Sequence, residues 1–156
     1  MPDFLIKLLR RPKLTLTGLL LGLGAFIGYS YWIQAALPQQ MPLIIGKQLK
    51  EELTADAAEK YLHVSAPNSH PTAEESKEFE DTRLAIGQLQ IDSLDKRGLG
   101  GMVVVKVKFH LADGKAPPDG QDTRYYRLRF NWINGWRFPY KVNEQQYLSA
   151  WFRVGF

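Results

Sequence analysis

Residues 14–36, LTLTGLLLGLGAFIGYSYWIQAA, form a 23-residue stretch without a charge. At 1.5 Å of rise per residue, a helix of that length spans a hydrocarbon core of about 30 Å. Lys7, Arg10, Arg11 and Lys13 precede it, and the next basic residue is Lys47. The positive-inside rule then keeps the N-terminus in the cytoplasm and sends the C-terminal part across, which for a bacterial protein means an inner-membrane anchor and a periplasmic domain. Tyr29, Tyr31 and Trp32 fall near the far end, where an aromatic belt belongs, and Pro38 and Pro42 are expected to stop the helix. A cleaved signal peptide is the rival reading. The apolar run is long for one, and IQAALPQQ is a poor small-x-small cleavage site. The twin arginines of RRPKL lack the usual flanking residues and read as topology charge.

Gly18, Gly22, Gly24 and Gly28 give two small-xxx-small pairs within this run. Such glycines admit a second helix at close range, although membrane helices are also enriched in glycine for no specific purpose. The expected layout is a basic tail at 1–13, a transmembrane helix at 14–37, a linker at 38–44 and an extracytoplasmic domain at 45–156.

The 156 residues include no cysteine, which rules out a disulfide framework, a zinc ribbon and a thiol nucleophile. The net charge of +4 is unevenly spread: +3 over 1–44, −4 over 45–83 and +5 over 84–156. The acidic block reads as helical. Ile45, Leu49, Leu53, Ala57 and Tyr61 recur every fourth residue between charged neighbours. HVSAPNSHP ends that helix in a loop, and Thr72 with Glu75 forms a capping box for a shorter helix to about Arg83. The acids of that second helix read as a solvated face rather than a metal site, since the alternating Asp/Asn and turn glycine of a calcium loop are missing.

The last block reads as an antiparallel sheet. RLAIGQLQIDSL, 83–94, is the expected first strand, and KRGLGG a flexible turn. MVVVKVKFHL alternates cleanly, with Val103, Val105, Val107, Phe109 and Leu111 on one side and Val104, Lys106, Lys108 and His110 on the other. TRYYRLRFNW puts Tyr126, Leu128, Phe130 and Trp132 on one face, opposite Tyr125, Arg127, Arg129 and Asn131. WRFPYKV puts Trp136, Phe138, Tyr140 and Val142 opposite Arg137 and Lys141. Asn-Gly between these strands marks a hairpin. A two-residue loop would mix aromatic and charged groups on both faces. A three-residue loop, Ile133-Asn134-Gly135, pairs Trp132 with Trp136, Phe130 with Phe138, Leu128 with Tyr140 and Tyr126 with Val142, with Gly135 left-handed. Alternation at Leu148, Ala150, Phe152, Val154 and Phe156 favours a last strand over a short helix capped by Asn143.

That register segregates the sheet. The aromatic face is expected to lie under the helices, with both tryptophans in the core. The other face carries Lys106, Lys108, Arg127, Arg129, Arg137 and Lys141, a stripe suited to anionic lipid or an acidic protein surface. Solvation alone also accounts for a basic outer face. Nucleic acid is disfavoured, because the domain lies outside the cytoplasm and the aromatic residues are on the other face. No cofactor is implied. His63, His70 and His110 supply no zinc motif, Asp81 and Asp92 sit where turn or cap roles are common, and HExxH and GxSxG are absent. The chain is expected not to be an enzyme.

A helix pair followed by MVVVKVKFHL and TRYYRLRFNWINGWRF resembles the α+β cone of NTF2-like and cystatin-like domains, a curved antiparallel sheet of about four strands under helices. With the anchor at 14–36, the layout is similar to the VirB8-like subunits of type IV secretion systems. The lack of a recognisable site, combined with two plausible docking surfaces, leads to the expectation of a non-catalytic single-pass subunit or assembly partner of a larger membrane complex, contacting other membrane subunits and the bilayer through its glycine-rich helix and its outer domain. The resemblance itself implies, as an alternative, a secretion or conjugation channel role. A further alternative is a small-ligand-binding module, which needs an apolar cavity inside the cone. NTF2-like folds include enzymes, binding modules and pure scaffolds, so the fold alone does not choose, and an enzyme at the cone mouth would need a buried His or Asp pair there.

Overall fold

The computed structural model describes residues 12–66, 70–150 and 154–155. The basic flank at Lys7, Arg10 and Arg11, the proline at Pro67 and the tail positions Trp151, Phe152 and Phe156 lie outside them. The fold is mixed α+β, an N-terminal apolar helix followed by helices on a curved, unclosed antiparallel sheet.

Helix α1, Pro12–Gln34, contains Leu16–Gln34, the one helix among the described residues long and apolar enough to cross a membrane. Only 11% of that window is buried, so it is not the core helix of a soluble domain. The chain breaks at Ala35 and Ala36 and continues as α2, Leu37–Leu62. Pro38 stands in the first turn of α2, where a missing N–H costs nothing, and Pro42 lies inside the helix. Pro38 therefore opens the second helix rather than ending the first, Pro42 is carried within it, and 38–44, expected as a linker, is helical. Leu37, Met41, Ile45, Leu49, Leu53 and Ala57 are all buried, one residue in four along a single face.

Helix α3, Ala73–Gly87, opens with the expected capping box between Thr72 and Glu75. It runs past Arg83, so 83–87 is helix rather than strand. Thr82, Ala85 and Ile86, spaced i, i+3, i+4, form its buried face. Strand β1 is Gln90–Arg97, β2 Leu99–Gly100, β3 Met102–His110, β4 Thr123–Asn131 and β5 Gly135–Val142. The main sheet has the order β1-β3-β4-β5, all antiparallel. Asn143 caps a short helix, α4, Glu144–Leu148, accepting from the Gln146 N–H. The tail is thus helix first, and only two residues, β6 at Val154–Gly155, return to pair in parallel with β2.

The hairpin register differs from the expected one. Gly135 is left-handed (φ 69°), as expected, but the three loop residues are Trp132, Ile133 and Asn134. Phe130 pairs with Trp136 and Arg129 with Arg137. The Asn131 side chain accepts from the Ile133 N–H at 2.8 Å, closing the turn one residue early. Further along, Arg127 pairs with Tyr140, Tyr126 with Lys141 and Tyr125 with Val142. Two residues of β5, Phe138 and Pro139, therefore oppose one of β4, Leu128. Pro139 has no N–H for the ladder, and an edge-strand bulge is where a proline fits. The bulge turns Tyr140 and Val142 to the face expected to be purely basic and moves Lys141 off it.

One face of the sheet packs under α2. Val103, Val105, Val107, Phe109, Tyr126, Leu128 and Trp136 meet the α2 stripe and Ile33 of α1 in a continuous core. Each large side chain so buried contributes about 1.5–3 kcal/mol before entropy is counted. A second, small cluster on the opposite face joins Val104, Tyr147 and Ala150, with Tyr125 and Val142 against it.

Candidate functional site

The end of α1 is wired into the sheet. Trp136 Nε1 donates to the Ile33 carbonyl at 2.8 Å, and Trp136 is only 2% exposed. Gln34 donates to the Gly100 carbonyl at 3.1 Å and accepts from Lys96 Nζ at 3.1 Å. Ile33 itself is core. Beside this joint, Trp132 stacks against Tyr29 and Trp32 of α1, with ring centroids 5.7 and 5.9 Å apart. Phe130 meets Trp132 and Trp136 edge-on, 5.6 Å from each. Trp136 is thus core as expected. Trp132 is not: it lies in the turn, 69% exposed.

Clefts flank the joint. One of about 620 Å³ runs along Leu23, Ile27, Tyr31, Pro38 and Leu99. Another of about 550 Å³ separates α1 from the hairpin, lined by Phe26, Tyr29, Phe130 and Trp132 together with Arg129. Within α1, a methyl added at Gly18, Gly22, Gly24 or Gly28 would meet nothing within 4 Å. At 3.6 residues per turn the pair Gly18/Gly22 points about 120° away from Gly24/Gly28, so the helix has two open notches rather than one glycine face.

On the free face of the sheet, Lys106 and Arg127 are half-buried, and Lys108, Arg129 and Arg137 are exposed. Arg129 and Arg137 stand directly across the ladder from each other. Lys141, opposite Tyr126, belongs to the other face and is not part of this group. Helix α4 covers the middle of the stripe. Arg127 donates to Gln146 Oε1 at 2.9 Å, and the two line a cleft of about 510 Å³ with Arg129 and Tyr140. Tyr147 is buried over Val104, hydrogen-bonds Asp95 through its hydroxyl and lies under the Arg97 guanidinium, 4.3 Å from its ring. Burial and the Asp95 bond push its pKa up to about 12.

Sequence reasoning passed over Arg124. It shares the parity of Tyr126 and Leu128 and so enters the core, 1% exposed. Its guanidinium contacts Glu52 at 3.1 Å, Asp56 at 2.7 Å and Asp119 at 2.8 Å, and the Tyr126 hydroxyl donates to the same Glu52 oxygen at 2.8 Å. Burial opposes its charge, but the Asp56 bond and the Asp119 and Asp56 charges raise its pKa above the ordinary value. The cluster clamps the loop after β3 onto α2. Two of the three histidines meet an acid: His63 meets Glu75 at 3.3 Å and His110 meets Asp92 at 2.7 Å, the latter at the β1 bulge. No group of three metal-ligating side chains forms among the described residues.

Comparison with protein-family models, with curated proteins and with solved structures finds no match for this chain.

Proposed function

We propose that this chain is a non-catalytic, single-pass membrane subunit or assembly partner of a larger complex. The supporting observation is the joint between α1 and the sheet. A helix that merely tethers a domain needs no fixed contact with it. Here Ile33 is in the core, and its carbonyl, with both ends of the Gln34 amide, is tied to the sheet. An apolar helix rigidly continuous with a domain lets contacts within the bilayer set the domain's position outside it. The two open glycine notches offer places where neighbouring helices fit. The basic N-terminal flank favours a cytoplasmic N-terminus, an inner-membrane span and a periplasmic domain.

Within this class, the layout of short tail, one span and α+β domain is that of VirB8-like channel subunits with an NTF2-like domain. A ligand-binding cone is the weaker reading, because Val103, Val105, Val107 and Phe109 fill the space under α2 that a ligand would need. Mild-detergent extraction followed by native size determination tests the proposal. Assembly with other membrane proteins is expected, and its loss in a Gly24→Ile/Gly28→Ile variant. A solitary monomer on native extraction overturns it.

A further inference from the structure

The tip of the β4–β5 hairpin lies at the height of the end of the apolar helix. Trp132 stacks on Tyr29 and Trp32, which stand five and two residues before Gln34, the last residue of the apolar window. At 1.5 Å per residue, the Trp132 ring lies about 3–8 Å inside that window, the depth of the headgroup and upper acyl region. The next residue, Ile133, is 89% exposed. Tyr31 and Trp32 are largely exposed at the same level. An isoleucine and a tryptophan at a turn tip are poor choices for water. Beside exposed aromatic rings at the end of a span, they suit the interface, where amphipathic rings concentrate.

We infer that the hairpin tip, Trp132 with Ile133, dips into the phospholipid headgroup layer on the domain's side and forms a second membrane contact beside the span. This rests on α1 crossing the membrane. Continuity with α1 selects lipid as the occupant, since a surface fixed at the level of the bilayer boundary meets lipid by default. The charges agree. Arg129 and Arg137 face each other one residue beyond the first pairs of the hairpin, and like charges across a ladder repel. A headgroup phosphate between them removes that repulsion. The cleft between α1 and the hairpin joins apolar walls to one cation, Arg129, the two kinds of group that a phospholipid's acyl chain and phosphate would meet. Span and hairpin together fix the tilt of the domain, which a single helix leaves free.

The absence of cysteine makes a direct test simple. Single variants Ile133→Cys, Leu20→Cys and Gln121→Cys of the full chain are spin-labelled and reconstituted in phosphatidylcholine/phosphatidylglycerol vesicles. All three side chains are exposed, so the labels leave the fold intact. Collision with oxygen is compared with collision with a water-soluble nickel chelate. The oxygen-to-nickel ratio at Ile133 is expected severalfold above that at Gln121, in the loop before the far end of β4, and below that at Leu20. A ratio at Ile133 equal to Gln121, with Leu20 in hydrocarbon, overturns the hairpin contact and leaves the span standing. Low collision of Ile133 with both reagents means that protein covers the tip, and also overturns it. A water-like ratio at Leu20 removes the span, and the inference with it.

Discussion

Arg124 concentrates three carboxylates, two from α2 and one from the loop after β3, around one buried charge. The acids are partly exposed and keep some hydration, while the guanidinium is not and has none. Removing the cation leaves Glu52, Asp56 and Asp119 repelling one another. Breaking a buried pair from one side costs about 3–5 kcal/mol, and the residual hydration of the acids places Arg124→Met near the lower end. Thermal unfolding in detergent, followed by near-UV circular dichroism, is expected to show this loss, with Asp119→Asn costing about 1 kcal/mol. Equal loss in both would mean that the cluster does not depend on its cation. Tyr147 carries a pH prediction. Its pKa rises from the ordinary 10.0 to about 12 on folding, so the folded state holds the proton longer. The associated stabilisation is complete below pH 10 and disappears as pH rises through about 12. Tyr147→Phe is expected to flatten the stability profile over that range. Tyr126, raised in the same direction, keeps some slope in the variant.

At the scale of elements, what the sequence made legible depended on whether one local period ruled a segment. The α2 stripe from Ile45 to Ala57, the alternation of β3 and the Thr72–Glu75 box each follow from one rule and stand as expected. The errors fell where two rules competed. Leu84, Ala85 and Ile86 suit a strand as well as a helix, and only the i, i+3, i+4 spacing from Thr82 selects the helix. In β5, simple alternation runs straight through Pro139, although proline cannot hold a ladder position, and without the bulge it places Tyr140, Val142 and Lys141 on the wrong faces. Asn143 as a helix cap was visible but lost to an alternation that runs into the undescribed tail. The turn between β1 and β3 gives a prediction at this scale. Gly98 has φ 134°, beyond the left-handed helical region, and a Cβ there would lie 2.5 Å from the Met102 carbonyl oxygen. Gly98→Ala is expected to lower stability by more than 2 kcal/mol, against about 1 kcal/mol for Gly120→Ala, which is left-handed in open space. Equal melting temperatures for the two variants would show that the turn relaxes.

For the whole molecule, the site is a joint between parts that the sequence presents as separate. Charge and hydropathy divide the chain cleanly into anchor, linker and domain, and that division hid the contacts that cross it. Ile33 and Gln34 belong to the anchor by composition and to the domain by packing and hydrogen bonding. Nothing local to residues 14–36 announces that a tryptophan a hundred residues later will donate to one of their carbonyls. The physical boundary of the folded unit therefore lies inside the apolar helix. A soluble fragment beginning at Leu37, the first residue of α2, loses the Ile33 side chain, the acceptor for Trp136 Nε1 and the Gln34 bonds. Burial of one isoleucine at about 1.5–3 kcal/mol and three hydrogen bonds at about 1 kcal/mol each put the loss at about 4.5–6 kcal/mol. Compared with a fragment beginning at Phe26, its melting temperature is expected to be lower by about 10 °C or more. Trp136→Phe in the longer fragment is expected to reproduce only part of that drop, since it removes one bond and keeps Ile33. Equal melting temperatures for the two fragments would mean that the helix end only rests on the sheet, and a span that only rests there cannot orient the domain from within the bilayer.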